Sequence, residues 1–220
     1  MSRYAFWQDG KPYEFPIGKV VCVGRNYAEH AKELNNPVPA EPLLFIKPAT
    51  SVVPMAETVC LPKDRGEVHY ELELAILIGK PLCNAEPSQV VGAIAGVGLA
   101  FDLTLRGLQA ELKEKGHPWE KAKSFDGACP LSGFVSPDKL PMLTQSGFQL
   151  WLDGALRQDG NTRDMLMPVS DLLAYCSRFF TLEPGDVVLT GTPKGVGALS
   201  PGQRFEVRLE SVLKVSGQVE

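Results

Sequence analysis

Apolar runs of strand length recur along this chain far more often than helical periodicity does. "KVVCVG" (19–24), "LLFIKP", "SVVP", "VHYELELAILIG", "AIAGVGLAFDLT", "FQLWLDGALRQ", "DVVLTG" and "RFEVRLE" are short and rich in β-branched and aromatic residues. Only "TLRGLQAELKEKG" (104–116) and "PVSDLLAYCSRFF" (168–180) carry longer helical patterns. Gly116 predicts a C-cap for the first, and Ser170 an N-cap for the second. "NYAEHAKEL" (26–34) predicts a helix of about two to three turns, stopped by Asn35, Asn36 and Pro37. Strands do not alternate with helices, so a doubly wound sheet is excluded and an α+β, predominantly β fold is expected.

The 220 residues suit one domain, and the 18 Pro and 21 Gly are scattered rather than gathered into a linker. Residues 4–16 read as a small hairpin turning at Asp9-Gly10, an extension at the start of a single domain over 1–220. A second hairpin is expected in "LDGALRQ". The net charge of -4, without a run of Lys or Arg, argues against nucleic acid or an anionic membrane as partner. An anionic substrate would need locally focused positive charge. No apolar run reaches membrane-spanning length, and "MSRYAFWQDG" lacks the pattern of a signal peptide. Five scattered cysteines without a C-x-x-C fit a reduced, cytoplasmic protein.

"HYELELAILIGK" poses the chemical question. Alternation on a strand puts His69, Glu71, Glu73 and Ala75 on one face and Tyr70, Leu72, Leu74 and Ile76 on the other. The two glutamates then stand about 6.5–7 Å apart. Bare, they repel; a hard cation between them turns the repulsion into binding. Two glutamates on a strand face also fit a solvated surface, so the pair needs a third ligand. Asp102, where "IAGVGLAF" gives way to a helix, is the candidate, although an N-cap fits it too. An all-oxygen set suits Mg²⁺ or Mn²⁺, while His69 keeps a His-carboxylate iron site arguable. Asp102, Arg106 and Gln109 follow at i, i+4 and i+7 and would line one wall if helical geometry held.

Three more clusters carry possible chemistry. His30 and Glu33, three apart on a short helix, form a carboxylate-oriented imidazole able to take a proton from water, or else a surface pair. Arg25, just before them, suits an anion. Lys123 or Lys121, in "GHPWEKAKSFD", suits an anionic substrate from a partly desolvated position. "LTGTPKGVG" is not a Walker A loop, yet it offers backbone N–H groups and the hydroxyls of Thr190 or Thr192.

Taken together and in order, "CVGRNYAEHAKEL", "PLLFIKPATSVV", "HYELELAILIGK", "FDLTLRGLQ…KGHPWEKAKSFDGACPLSGF" and "TLEPGDVVLTGTPKGVG" resemble the fumarylacetoacetate hydrolase family. The likeness is greatest to its short acylpyruvate hydrolase branch, from about residue 17 to the C-terminus. The resemblance implies a mixed β-sandwich roll, a homodimer, and one Mg²⁺ or Mn²⁺ per subunit. It implies Glu71, Glu73 and Asp102 as metal ligands, and His30, Glu33 and Lys123 as catalytic residues. Arg25, Arg106, Gln109 and Thr192 would contact a small 2-keto acid. The implied reaction is cleavage of a C–C bond in acylpyruvates through a metal-stabilised enolate and a His-Glu activated water. The same core would serve as an oxaloacetate tautomerase or decarboxylase, or as an isomerase of unsaturated 2-oxo dioates. A non-catalytic 2-keto acid binding module is the rival from another class. One departure stands out: Gly107 follows Arg106, where the family commonly has Asp.

Overall fold

The computed structural model describes residues 4–33, 41–56 and 58–220, with the side chains of 30–32 excepted. A seven-stranded mixed sheet forms its centre. Its strands run in the order Leu43–Pro48, Lys19–Gly24, Val187–Leu189, Leu72–Ile78, Ile94–Phe101, Cys129–Leu131 and Val52–Pro54. Two pairings are parallel, Val187–Leu189 on Lys19–Gly24 and Cys129–Leu131 on Val52–Pro54; the others are antiparallel. A four-stranded antiparallel sheet joins Ala155–Asn161, Gly147–Leu152, Arg204–Leu209 and Leu213–Gln218. A small third sheet holds Gly197–Ala198, Val68–Tyr70 and Thr104–Leu105. The expected β-rich roll is therefore observed.

Every residue of the central strand Leu72–Ile78 is buried. Leu72, Leu74, Ile76 and Ile78 point into the larger core with the four-stranded sheet, while Ala75 and Leu77 join a second core on the opposite face. Phe101 meets Phe205 edge-to-face at 5.4 Å across the larger core, a geometry that adds about 0.5–1.5 kcal/mol beyond burial alone. Both hairpins form: Tyr4–Phe6 pairs with Pro12–Pro16, and Gly147–Leu152 with Ala155–Asn161.

The structure corrects four boundaries. "VHYELELAILIG" is not one strand but two, Val68–Tyr70 and Leu72–Ile78, in different sheets. The ladder breaks because the Leu72 N–H donates to the Gln158 side chain and the Glu71 carbonyl accepts from Asp102 N–H. The helix expected from residue 104 begins at Arg106, because Thr104–Leu105 pairs as a strand with Val68–Tyr70. Ser170 does not cap the helix Val169–Phe179; Pro168 precedes it with extended backbone and no side-chain cap. The first helix runs Ala28–Glu33, and its expected stop at Asn35, Asn36 and Pro37 lies outside the described residues. No helix among the described residues is long and apolar enough to cross a membrane.

Candidate metal and oxo-acid site

The break at Glu71 is what assembles the site. Glu73 sits one residue inside the buried strand, Glu71 in the gap between sheets, and Asp102 directly after Ile94–Phe101, the strand beside it. The hydrogen bond from Asp102 N–H to the Glu71 carbonyl, at 2.8 Å, ties the gap to the strand end. Carboxylate oxygens of Glu71, Glu73 and Asp102 come within 4.8 Å of one another, and all three residues are buried. His69 does not join them. It accepts from Arg106 Nε at 3.4 Å and faces Glu67, so the iron alternative loses its imidazole.

Three buried carboxylates demand positive charge. Lys123 donates to Glu71 Oε2 at 2.8 Å and to Asp102 Oδ2 at 2.5 Å; Lys121, by contrast, is exposed. Arg106 donates to Glu71 Oε1 at 2.5 Å and to Gln109 Oε1 at 2.8 Å. Burial works to lower the Lys123 pKa, but Asp102 and Glu71 more than offset it, so the ammonium holds its proton above the usual lysine range. Glu73 goes the other way: burial, then Asp102 and Glu71, push its carboxyl well above the usual carboxylate range. The Lys123 charge, and then a hydrogen bond from Gly191 N–H at 2.7 Å, oppose this shift.

Lys47 completes the cluster and was not evident among the sequence candidates. It lies at the end of "LLFIKP", fully buried, with its ammonium 2.8 Å from Asp102 Oδ1 and donating to the carbonyl of Lys123. A lysine inside an otherwise apolar strand was the available signal. The ammonium pairs in charge with Asp102 Oδ1 but stands off the line of a hydrogen bond, so this oxygen has no donor among the described residues. A buried oxygen without a donor, a glutamate held toward its neutral form and an all-oxygen set together fit a hard divalent cation.

A cleft of about 30 Å³ opens on these carboxylates. Arg25, Arg106, Gln109, Lys123 and Thr192 all line it, together with Phe45, Lys113 and Trp119. Arg25 takes a left-handed backbone (φ 63°), a strained conformation for a residue with a side chain. Asn26 holds it there, donating to the carbonyls of Met167 and Thr190 and accepting from Met167 N–H. The Thr192 hydroxyl donates to the Leu72 carbonyl and accepts from Gln158, so it fixes the turn as well as lining the cleft. Gln158 is another residue missed in the sequence; a buried glutamine in a hairpin strand gives no local sign of its partners.

Glu33 is not among the described residues lining the cleft. Both its carboxylate oxygens accept from Gly195 N–H at 3.1 Å, and Glu29 pairs with Lys194 at 2.7 Å, so the helix Ala28–Glu33 clamps the Gly-rich turn. The His30 side chain, the other half of the expected dyad, lies outside the described residues. Gly195 has φ 95°, and a Cβ there would collide with the Arg157 carbonyl oxygen.

The chain matches the fumarylacetoacetate (FAA) hydrolase C-terminal family over residues 19–220. It is 48% identical over 211 residues to oxaloacetate tautomerase YcgM of Escherichia coli (strain K12), covering 96% of both chains. Mitochondrial oxaloacetate tautomerase FAHD1 of Bos taurus is 40% identical over 217 residues, covering 98% of this chain and 94% of that one. Fumarylpyruvate hydrolase from Pseudomonas aeruginosa, crystallised in complex with Mn²⁺ and pyruvate, superimposes with a TM-score of 0.92 at 35% identity. That match covers 100% of this chain and 96% of the other.

Proposed function

The chain belongs to the fumarylacetoacetate hydrolase family, and we propose that within it this protein is a divalent-metal-dependent oxaloacetate keto–enol tautomerase. The reading is carried by one observation: three carboxylates and the Lys123 ammonium share one buried cleft with Arg106 and Gln109. The identity to oxaloacetate tautomerases supports this reaction over acylpyruvate hydrolysis, the reaction favoured by the sequence motifs.

Glu71, Glu73 and Asp102 would hold Mg²⁺ or Mn²⁺. When bound, such an ion supplies Lewis-acid polarisation of a 2-keto carbonyl, which acidifies the neighbouring C–H. The protein's own groups do the rest. Substrate draws Lys123 and Arg106 away from Glu71 and Asp102, and their N–H donors meet the carboxylate and the oxygen on which negative charge develops. Gln109, held by Arg106, adds an amide at the same wall. Tautomerisation then breaks one C3–H bond and forms one O–H bond, with no bond to water. Hydrolysis of an acylpyruvate needs more, a base that activates water, and this role falls to His30 oriented by Glu33. The likeness to a fumarylpyruvate hydrolase favours this as the second reading. The proposal includes a homodimeric, cytoplasmic enzyme.

The test follows enol absorbance of oxaloacetate and of acetylpyruvate with purified protein, in Mg²⁺ and again in EDTA. Metal-dependent equilibration of oxaloacetate without pyruvate release is the expected result. Pyruvate released from oxaloacetate would identify a decarboxylase instead. Metal-dependent loss of acetylpyruvate alone, with pyruvate appearing in step, would replace tautomerisation by hydrolysis.

A further inference from the structure

We propose that Lys113 is a specificity-determining residue that binds the second carboxylate of a short 2-oxo dicarboxylate, selecting such acids over 2-oxo acids with an uncharged far end. The inference rests on the reading of the cleft as a 2-oxo acid site and names which acids it prefers. Lys113 lies on the helix Arg106–Glu114, one turn beyond Gln109 and two beyond Arg106, on the face that lines the cleft. Helical side chains lean toward the N-terminus, so its ammonium reaches back over Gln109 toward the carboxylates. Its Nζ stands 5.0 Å above the Trp119 ring, which forms the wall there.

The cations around the cleft outnumber the carboxylates paired with them. Glu71 and Asp102 already face three cations, Lys47, Lys123 and Arg106, while Glu73 is pushed toward its neutral form, and no carboxylate among the described residues forms a salt bridge with Lys113. A half-buried ammonium is thus held beside an aromatic ring, facing a cleft already lined by Arg25, Arg106 and Lys123. Burial, then those three cations, bring its pKa down to about 8, with Glu71 opposing. Such a cation is costly in the empty site and becomes favourable once a second carboxylate arrives. A 2-oxo acid whose far end is a methyl ketone offers it nothing.

The test measures calorimetric binding of oxalate and of malate to the Mg²⁺-loaded parent protein, Lys113→Met and Lys113→Arg. Oxalate offers only the chelating end, whereas malate keeps both carboxylates and the 2-oxygen. Lys113→Met is expected to lose malate affinity by roughly tenfold or more, the scale of one charged hydrogen bond, with oxalate affinity held within about twofold. Lys113→Arg is expected to recover most of the loss. Equal losses for both ligands, unchanged malate affinity, or no malate binding by the parent would overturn the assignment. Melting curves for each variant separate these results from misfolding. Turnover is scored apart: a parent that binds malate through Lys113 but fails to equilibrate oxaloacetate sinks the tautomerase reading and leaves this subsite standing.

Discussion

The Lys47 ammonium lies 2.8 Å from Asp102 Oδ1, deep in the sheet and entirely out of solvent. Through it the strand Leu43–Pro48 supports both Asp102 and, by its hydrogen bond to the Lys123 carbonyl, the helix Glu120–Lys123. Lys47 is thus part of the frame on which the carboxylate site rests.

Lys47→Met is predicted to lower the stability of metal-free protein by about 2 kcal/mol, because Asp102 keeps Lys123 on Oδ2 but loses the buried cation beside Oδ1. Saturating Mg²⁺ should return part of that loss, since a cation then takes over the charge. Urea unfolding in EDTA and in Mg²⁺ measures both. The same loss in the two conditions would show that Lys47 supports packing and not the carboxylate.

Glu73→Gln should act with opposite signs on metal and on fold. Affinity for Mn²⁺ is expected to drop by more than the roughly 10–100-fold typical of changes outside the ligand set. Metal-free protein should keep or gain stability, because the amide oxygen still accepts from Gly191 N–H and position 73 no longer carries an ionisable group against Asp102 and Glu71. Mn²⁺ titration calorimetry and melting in EDTA read the two effects; unchanged Mn²⁺ affinity would remove Glu73 from the ligand set.

Gly195→Ala tests the clamp. A Cβ at φ 95° against the Arg157 carbonyl costs on the order of 1–3 kcal/mol in backbone strain and displaces the turn that Glu33 grips. Acetylpyruvate hydrolysis, the reaction that calls on His30 and Glu33, is expected to fall with Mn²⁺ affinity unchanged, and Glu33→Ala should reproduce the loss. If both variants turn over normally, the clamp has no part in the reaction.

Gly107 faces open space and takes no left-handed backbone, so the departure from the family's usual Asp is not enforced by packing. Gly107→Asp is predicted to raise the melting temperature, because a first-turn carboxylate complements the helix dipole and glycine's excess chain entropy is removed. Each effect is worth up to about 1 kcal/mol. A lower melting temperature would mean that repulsion from the neighbouring carboxylates outweighs both.

Binding of malate should weaken as pH rises through about 8. Lys113 faces Arg25, Arg106, Lys123, Glu71 and the Trp119 ring, and burial with the three cations lowers its pKa to about 8. Below that value it is charged and attracts the second carboxylate; above it the attraction is lost. A bound dicarboxylate in turn raises the Lys113 pKa. Calorimetry of malate and oxalate across pH 7–9, with Lys113→Arg for comparison, reads the difference; parallel profiles for all would remove Lys113 as the titrating group.

The β-rich architecture was legible in the sequence, because apolar runs of strand length and two-residue turns are local signals. So was the carboxylate set: alternation put Glu71 and Glu73 on one face, and Asp102 stood where an apolar strand ended. Arg25, Arg106, Gln109, Lys123 and Thr192 were likewise marked by the motifs around them, and all line the cleft. Tertiary structure decided the rest. The break that separates His69 from Glu71 depends on the Gln158 side chain, 86 positions away, and no local pattern reports it. Lys47 reads as an odd residue in a strand until the fold brings Asp102 to it across 55 positions of sequence. Lys113 reads as one more charge on an amphipathic helix until the sheet, Trp119 and Arg25 close around it. Periodicity reports which face a side chain takes, whereas ion pairs and clefts depend on distances between segments that only the folded chain sets.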